Sequence, residues 1–409
     1  MTHDLAQIKL PFGVNGCFEG QLPRQRLFLN RPAPATIDDL AGTVQHALQS
    51  PLGMPSLAQS LVAGDRVVIV VDRGTPQAAT LVAELWKVLS RAGVEAKDIV
   101  MLEPAAVRAP RLPDPRELLP AEVAAQIPWI LHDPTEEGLC AYLANTSSGE
   151  RVYLRNQVID SDFVLLVGPI LQDPLLGFRG TASALYPGLS DTAAMRRSVG
   201  QGHEELDAND VRPLRQLIDE VSWLAGTQFC LGVVPGATTG IHAVFAGAPD
   251  PVLRAGQESA ERTWAIHSDD KVELVIAAVE ADATGHNWDQ IGQAADAARH
   301  LVERGGRIVI LSQVSEEPGP GVKLLRAHRS AKAALKPLRT AMPPDVITAG
   351  RIARAAAWAR VYLLSAQPET LVEELFLYPI SESVEVQRLL ESDCSTAVIA
   401  SAQHICVQR

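Results

Sequence analysis

The chain is poor in the features that announce the commonest functional classes. Five cysteines, Cys17, Cys140, Cys230, Cys394 and Cys406, are scattered over 409 residues. No Cys-x-x-Cys and no close cysteine–histidine group occurs, which argues against a zinc knuckle or an iron–sulfur site. No apolar run approaches the roughly 20 residues that span a bilayer, so no membrane partner is expected. Met1-Thr2-His3-Asp4 lacks the basic and apolar regions of a signal peptide, and with an odd cysteine count the expected location is the reducing cytoplasm. Basic charge is short as well. Lys and Arg number 36 against 48 Asp and Glu, a net charge of −12 that argues against a nucleic-acid partner. Arg196-Arg197 and the cation-rich stretch 323–339 read as solvated helix faces. There is no P-loop, no Gly-x-Gly-x-x-Gly, no His-Glu-x-x-His and no Gly-x-Ser-x-Gly, which leaves those enzyme classes without support.

What is present is a globular alternation of buried strands and amphipathic helices. Hydrophobic residues make up 47% and charged residues 21%, and the length suggests two or three domains. Residues 1–35 read as an irregular or edge-strand lead-in, and Thr36 as the N-cap of a helix. Residues 66–71 form an uninterrupted run of the kind buried on both faces of a parallel sheet. A helix over 77–92 and a strand over 97–102 complete a βαβ unit. A proline-rich stretch, 104–128, interrupts the alternation. It resumes with strands at 163–167, 228–234 and 241–245 and a helix over 211–225. From residue 270 a second series follows, with strands near 272, 307, 361 and 397 and helices between them. One of these, over 323–336, is expected to stop at Pro337. The pattern predicts an α/β protein of two domains, 1–265 and 266–409, with mainly parallel sheets facing a central cleft that serves as the ligand site.

The most informative segment is 162–192. Asp162-Phe163-Val164-Leu165-Leu166-Val167-Gly168 runs into Pro169-Ile170-Leu171-Gln172-Asp173, then Gly177-Phe178-Arg179-Gly180-Thr181-Ala182-Ser183, then Tyr186-Pro187-Gly188. It resembles the nickel-dependent lactate racemase family, where the stretch reads Pro-His, Gly-Phe-Ser-Gly-Gly-Ala-Lys, Pro-Gly. Asp72 with Thr75-Pro76 resembles the family's Asp-x-Thr-Arg-Pro loop, and His132-Asp133 its His-Asp pair. Phe245-Ala246-Gly247 and the segment from Asn287 to Ala294 match further stretches in order, so the likeness covers most of the chain.

The resemblance implies racemisation or epimerisation of a 2-hydroxy acid, an isomerase chemistry. Two histidines act as acid and base, and a nickel-pincer nucleotide tethered to a lysine takes the hydride. The positions depart from that scheme. The first histidine falls near Val107, with Arg108 beside it, and the second on Asp173. The tether falls on Ser183, so covalent attachment of the cofactor is not expected, and the carboxylate arginine falls on Thr75. The Gln/Lys pair becomes Gln290 and Gln293.

Two readings follow: a divergent lactate racemase-like protein with lost or altered catalysis, or a non-catalytic binder of a small anion or partner of an active paralogue. For the first, Asp173 and His203 are the candidate catalytic residues, Asp173 as a general base and His203 either as a ligand brought into the nickel site or as a surface loop histidine. Asp173 can equally be a turn former ahead of Pro174. Arg73, Arg108, Gln290 and Gln293 are candidates to hold a small carboxylate or hydroxy acid in the cleft. Asp72, His132, Asp133, Gly177, Gly180 and Ser183 are expected to frame the site. His132-Asp133 reads either as a structural pair or as an orienter of the pocket. The glycines answer backbone needs, positive φ or close approach. Asn287 reads as a helix N-cap with His286 outside it.

Overall fold

The computed structural model describes residues 4–105, 112–200, 202, 206 and 210–408. The chain is α/β and divides into two compact units. One runs from Ala35 to Val199 and resumes through Thr263; the other joins the chain up to Pro34 to everything from Trp264 onward.

The chain opens with β1 (Leu5–Phe12), β2 (Gly16–Pro23) and β3 (Leu27–Arg31). In the Ala35 unit come α1 (Leu40–Gln49), β4 (Val67–Val71), α2 (Ala78–Arg91), β5 (Ile99–Glu103), α3 (Ala121–Ala124) and β6 (Trp129–Leu131). A ribbon of β7 (Cys140–Asn145) and β8 (Arg151–Arg155) and the short α4 (Asn156–Ile159) lead to β9 (Phe163–Pro169). Next are β10 (Leu171–Asp173), β11 (Gly177–Arg179), α5 (Ala182–Leu185), α6 (Thr192–Arg197), α7 (Pro213–Leu224), β12 (Phe229–Pro235), β13 (Ile241–Gly247) and α8 (Pro249–Trp264).

The sheet of this unit has the order β13-β12-β9-β4-β5-β6, parallel throughout except for the antiparallel edge β13. The apolar run of β4 is split by the two-residue strand period. Val67, Ile69 and Val71 enter a core with α1 and α2, whereas Val68 and Val70 enter a second core with α5 and α7. Burial on both faces is what the continuous hydrophobic run requires.

The second unit adds β14 (Ala265–His267), β15 (Val272–Ala278), α9 (Trp288–Leu301), β16 (Val302–Leu311), α10 (Pro320–Leu324), α11 (Ala331–Ala341) and α12 (Val346–Trp358). The last elements are β17 (Arg360–Leu364), α13 (Glu369–Glu374), β18 (Tyr378–Ile380), α14 (Ser383–Glu391), β19 (Thr396–Ile399) and β20 (Cys406–Gln408). Its sheet, β18-β17-β16-β15-β19-β3, is fully parallel.

Four expectations need correction. The lead-in takes the edge-strand form rather than the irregular one, and it groups with the second unit and not with the Ala35 unit. β1 and β2 form an eight-pair hairpin whose inward residues Ala6, Ile8, Leu10 and Phe12 pack on the second sheet, and β3 pairs with β19. The alternation of buried and exposed residues in β1 carries that burial. The cap of α1 is Asp39, whose carboxylate accepts from the Gly42 N–H, not Thr36. Pro337 lies inside α11 and does not end the preceding helix. The carbonyl it leaves without a helical donor belongs to Ala333, which is exposed to water. The helix α12 was absent from the sequence reading.

Candidate functional site

In the first sheet, β4 is flanked by β5 on one side and β9 on the other, so the strand order reverses between β4 and β9. The carboxyl edge at such a point is where open α/β sheets hold ligands. Asp72 leaves the end of β4 there and is fully buried. Its Oδ1 accepts the Gly74 N–H at 2.9 Å, and its Oδ2 accepts from Arg179 Nη2 at 2.6 Å and Nε at 3.2 Å. The Asp72 carboxylate holds the Arg179 guanidinium above its ordinary pKa, with Asp173 adding to it. Arg179 was not among the residues singled out from sequence. The signal was a cation four residues before the expected lysine position.

Arg73 turns into the protein. Its side chain is 9% exposed, its Nε lies 3.0 Å from Glu103 Oε1 and donates to the Pro104 carbonyl at 3.0 Å. Glu103, the last residue of β5, is fully buried and was also missed. His132 follows β6. Its Nε2 donates to the Ser190 carbonyl at 2.8 Å, which leaves Nδ1 to accept from Arg155 Nη1 at 3.3 Å. Burial lowers its pKa, and the neighbouring Arg155 charge acts in the same direction. Asp133 is exposed and accepts from Thr135 through both the backbone N–H and the hydroxyl.

The β10–β11 hairpin and the turn after it place the residues at the family's histidine and lysine positions. Asp173 Oδ1 accepts the N–H groups of Leu175 (2.8 Å) and Leu176 (3.0 Å), which is the turn-forming role. Gly177, paired with Asp173, has φ +74°, so a side chain would be strained there. Gly180 meets the other need, since a Cβ at that position would stand 2.6 Å from Leu253 Cδ1. Ser183 Oγ donates to the Gly180 carbonyl at 2.6 Å. Thr75, at the carboxylate-arginine position, donates its hydroxyl to the Asp72 carbonyl at 2.6 Å. The nickel-pincer nucleotide implied by the resemblance needs a lysine amine for its covalent link, so the residues here do not fit that tether. Among the described residues no group of three or more His, Cys, Asp or Glu is placed to hold a metal ion.

Gln290 and Gln293 lie on α9 of the second unit. Asn287 caps that helix by accepting the Gln290 N–H, and Gln290 Oε1 accepts the Asn287 N–H in return, a capping box. Gln290 Nε2 also donates to the Gly285 carbonyl at 3.2 Å. Gln293 is half-buried and makes no side-chain hydrogen bond among the described residues. The switch point of this sheet, between β15 and β19, carries polar groups that sequence reasoning did not select. Glu280 is buried and accepts from Ser401 Oγ at 3.0 Å, and His404 Nε2 lies 3.5 Å from Asp282. Their spacing, 280–286 against 401–404, gave no local motif. Arg108, His203 and Val107 lie outside the described residues.

Residues 16–208 match the lactate racemase N-terminal domain. The fold is similar to the lactate racemase apoprotein from Thermoanaerobacterium thermosaccharolyticum. The TM-score is 0.78 at 16% identity, over 99% of this chain and 100% of that one. It is also similar to a structural-genomics protein from Thermotoga maritima, with a TM-score of 0.66 at 13% identity over 91% and 99% of the two chains. No curated protein matches the chain. Residues 16–208 thus carry a lactate racemase N-terminal domain, and the chain as a whole has a lactate racemase-like α/β fold.

Proposed function

We propose that this chain is a lactate racemase relative in which the family's racemisation is lost and the positions that served it now brace the fold. One observation carries the reading. Thr75, Asp173 and Ser183 stand where the resemblance puts a substrate arginine, an acid–base histidine and the tether lysine. Each is bonded to backbone no more than three residues away: Thr75 to Asp72, Asp173 to Leu175 and Leu176, and Ser183 to Gly180. A general acid or base must reach a substrate proton. An Asp173 oxygen that accepts two N–H groups serves the hairpin instead. Arg73, the remaining cation of the β4 loop, is turned to Glu103 and Pro104 rather than outward. Losing one acid–base group costs about 10²–10⁴-fold in rate, and two losses multiply.

The test is chiral analysis of lactate incubated with the chain after co-expression with cofactor-making enzymes and nickel. The expected result is no interconversion of the two enantiomers. Intact mass measurement of the same preparation should show no added nucleotide on the 177–187 peptide. Racemisation at the rate of an active family member, or a mass increment on that peptide, overturns the proposal.

A further inference from the structure

The Ala35 unit contains a second polar feature. A cavity of about 280 Å³ lies between α7, the start of α8 and the backbone from Gly180 to Ala182. Arg215, Asp219, Ser222 and Trp223 face it from α7 at spacings that share one side of a helix. Asp219 takes Nε of Arg215 at 3.1 Å and also its Nη2. The third guanidinium nitrogen, Nη1, is buried and has no hydrogen-bond partner among the described residues, on a side chain 11% exposed. Two more residues of the lining carry orphaned atoms, Ser222 Oγ and Thr227 Oγ1, both buried and both without a partner among the described residues. Three buried unsatisfied polar groups on residues around one cavity are unusual, since buried polar groups in folded proteins are almost always hydrogen-bonded. Their convergence is what a ligand site looks like before its ligand arrives.

The chemistry of the lining selects the ligand. Arg215 Nη1 can only donate. Asp250, exposed on the opposite wall and without a hydrogen bond among the described residues, can only accept. Ser222 and Thr227 can do either. A ligand hydroxyl answers all four, because it accepts from one neighbour while donating to another. Against one guanidinium stand two carboxylates, Asp219 and Asp250, so the local charge is negative and opposes an anion. Trp223, 79% exposed and part of the lining, offers an aromatic face at the mouth. The volume falls just below the range of about 300–1,000 Å³ usual for larger organic ligands. We propose that this cavity binds an uncharged polyhydroxy molecule of monosaccharide size. The cavity borders the 177–183 segment through Gly180–Ala182 but uses none of Thr75, Asp173 or Ser183, so it stands or falls separately from the loss of racemisation.

The experiment is calorimetric titration, with saturation-transfer NMR, of the full chain against myo-inositol and D-glucose, and against L-lactate and inorganic phosphate. Saturable binding of at least one polyol, tighter than either anion, is expected. Ser222→Ala and Thr227→Val each remove one ligand hydrogen bond and should weaken binding about three- to tenfold. Trp223→Ala should weaken it too. These changes delete orphaned or exposed groups, so thermal unfolding without ligand should be unchanged or occur at higher temperature. The proposal is overturned if neither polyol saturates, if lactate or phosphate binds more tightly than both, or if Ser222→Ala and Thr227→Val leave polyol affinity as it was.

Discussion

Arg73 decides whether the β4 loop serves a ligand or the fold, and replacing it separates the two. Arg73 and Glu103 sit at the carboxyl ends of adjacent strands, with Nε 3.0 Å from Oε1 and side-chain exposures of 9% and 0%. At that distance and an effective dielectric near 20, the gross attraction is about 5–6 kcal/mol. Desolvation of both groups offsets most of it, so the pair contributes little net stability compared with two apolar residues. Removing one partner is different, because the other is left as a buried, uncompensated charge. Arg73→Met should cost about 3–5 kcal/mol, at the upper end because Glu103 has no exposure and because the Pro104 carbonyl also loses its donor. Glu103→Gln should cost somewhat less, since Arg73 keeps Pro104. The double variant Arg73→Met/Glu103→Leu should be less destabilised than either single one. Hydrogen exchange by mass spectrometry, read on peptides spanning β4 and β5, reports the opening free energy of this unit apart from the other. If Arg73→Met lowers it by less than about 1 kcal/mol, or if the double variant is worse than both singles, the pair does not hold the loop. Arg73 would then be available to a bound carboxylate.

Two further predictions concern protonation and reactivity. His132 has its folded pKa lowered by burial, so the unfolded chain takes up the proton first on acidification. Stability should therefore fall as pH drops below about 6.5, until the folded pKa is passed, and the fall should be smaller in His132→Gln; urea titrations between pH 7 and pH 5 check this. Identical pH slopes in the two proteins would count against it. Burial pushes the Cys230 thiol up to about 12, and the residue is fully enclosed, whereas Cys17 is exposed. Iodoacetamide at pH 8 should label Cys17 and spare Cys230 in peptide maps, and prompt labelling of Cys230 in the native protein would refute the burial.

How far the fold was legible depended on whether burial left a local trace. β4 and β9 were readable because strands buried on both faces must be apolar at every position. α9 was readable through its cap, Asn287 followed by Gln290. The lead-in was not, because what fixes β3 is its pairing with β19, some 370 residues later, and no local signal encodes a partner that distant. α11 was obscured by Pro337, which stands inside the helix four residues after the exposed Ala333. At the site, the glycines were legible because their needs are backbone needs. The ion pairs were not. Arg73 and Glu103 are 30 residues apart, and Arg179 and Asp72 are 107 apart. Charge placed on a sequence says nothing of which opposite charge the fold brings to it.

The pattern of replacement at the β4–β9 switch point says more than the loss of any one residue. A ligand site keeps polar groups unsatisfied by the protein so that a substrate can satisfy them, and that arrangement costs stability. On the proposed reading, Asp173, Ser183 and Asp72 are satisfied by the protein itself. Lysine at 183 would be long enough to leave the turn, whereas the serine present is short enough to close on Gly180. A histidine at 173 would project a ring, whereas the aspartate present folds onto two N–H groups of its own hairpin. The one cation within the segment 177–183 is now Arg179, and its fork grips the buried carboxylate of Asp72. That carboxylate in turn organises Gly74 at the start of the loop. On the proposed reading, three short-range bonds and a long-range ion pair at those positions make a frame that stabilises the fold where a catalytic site would cost stability.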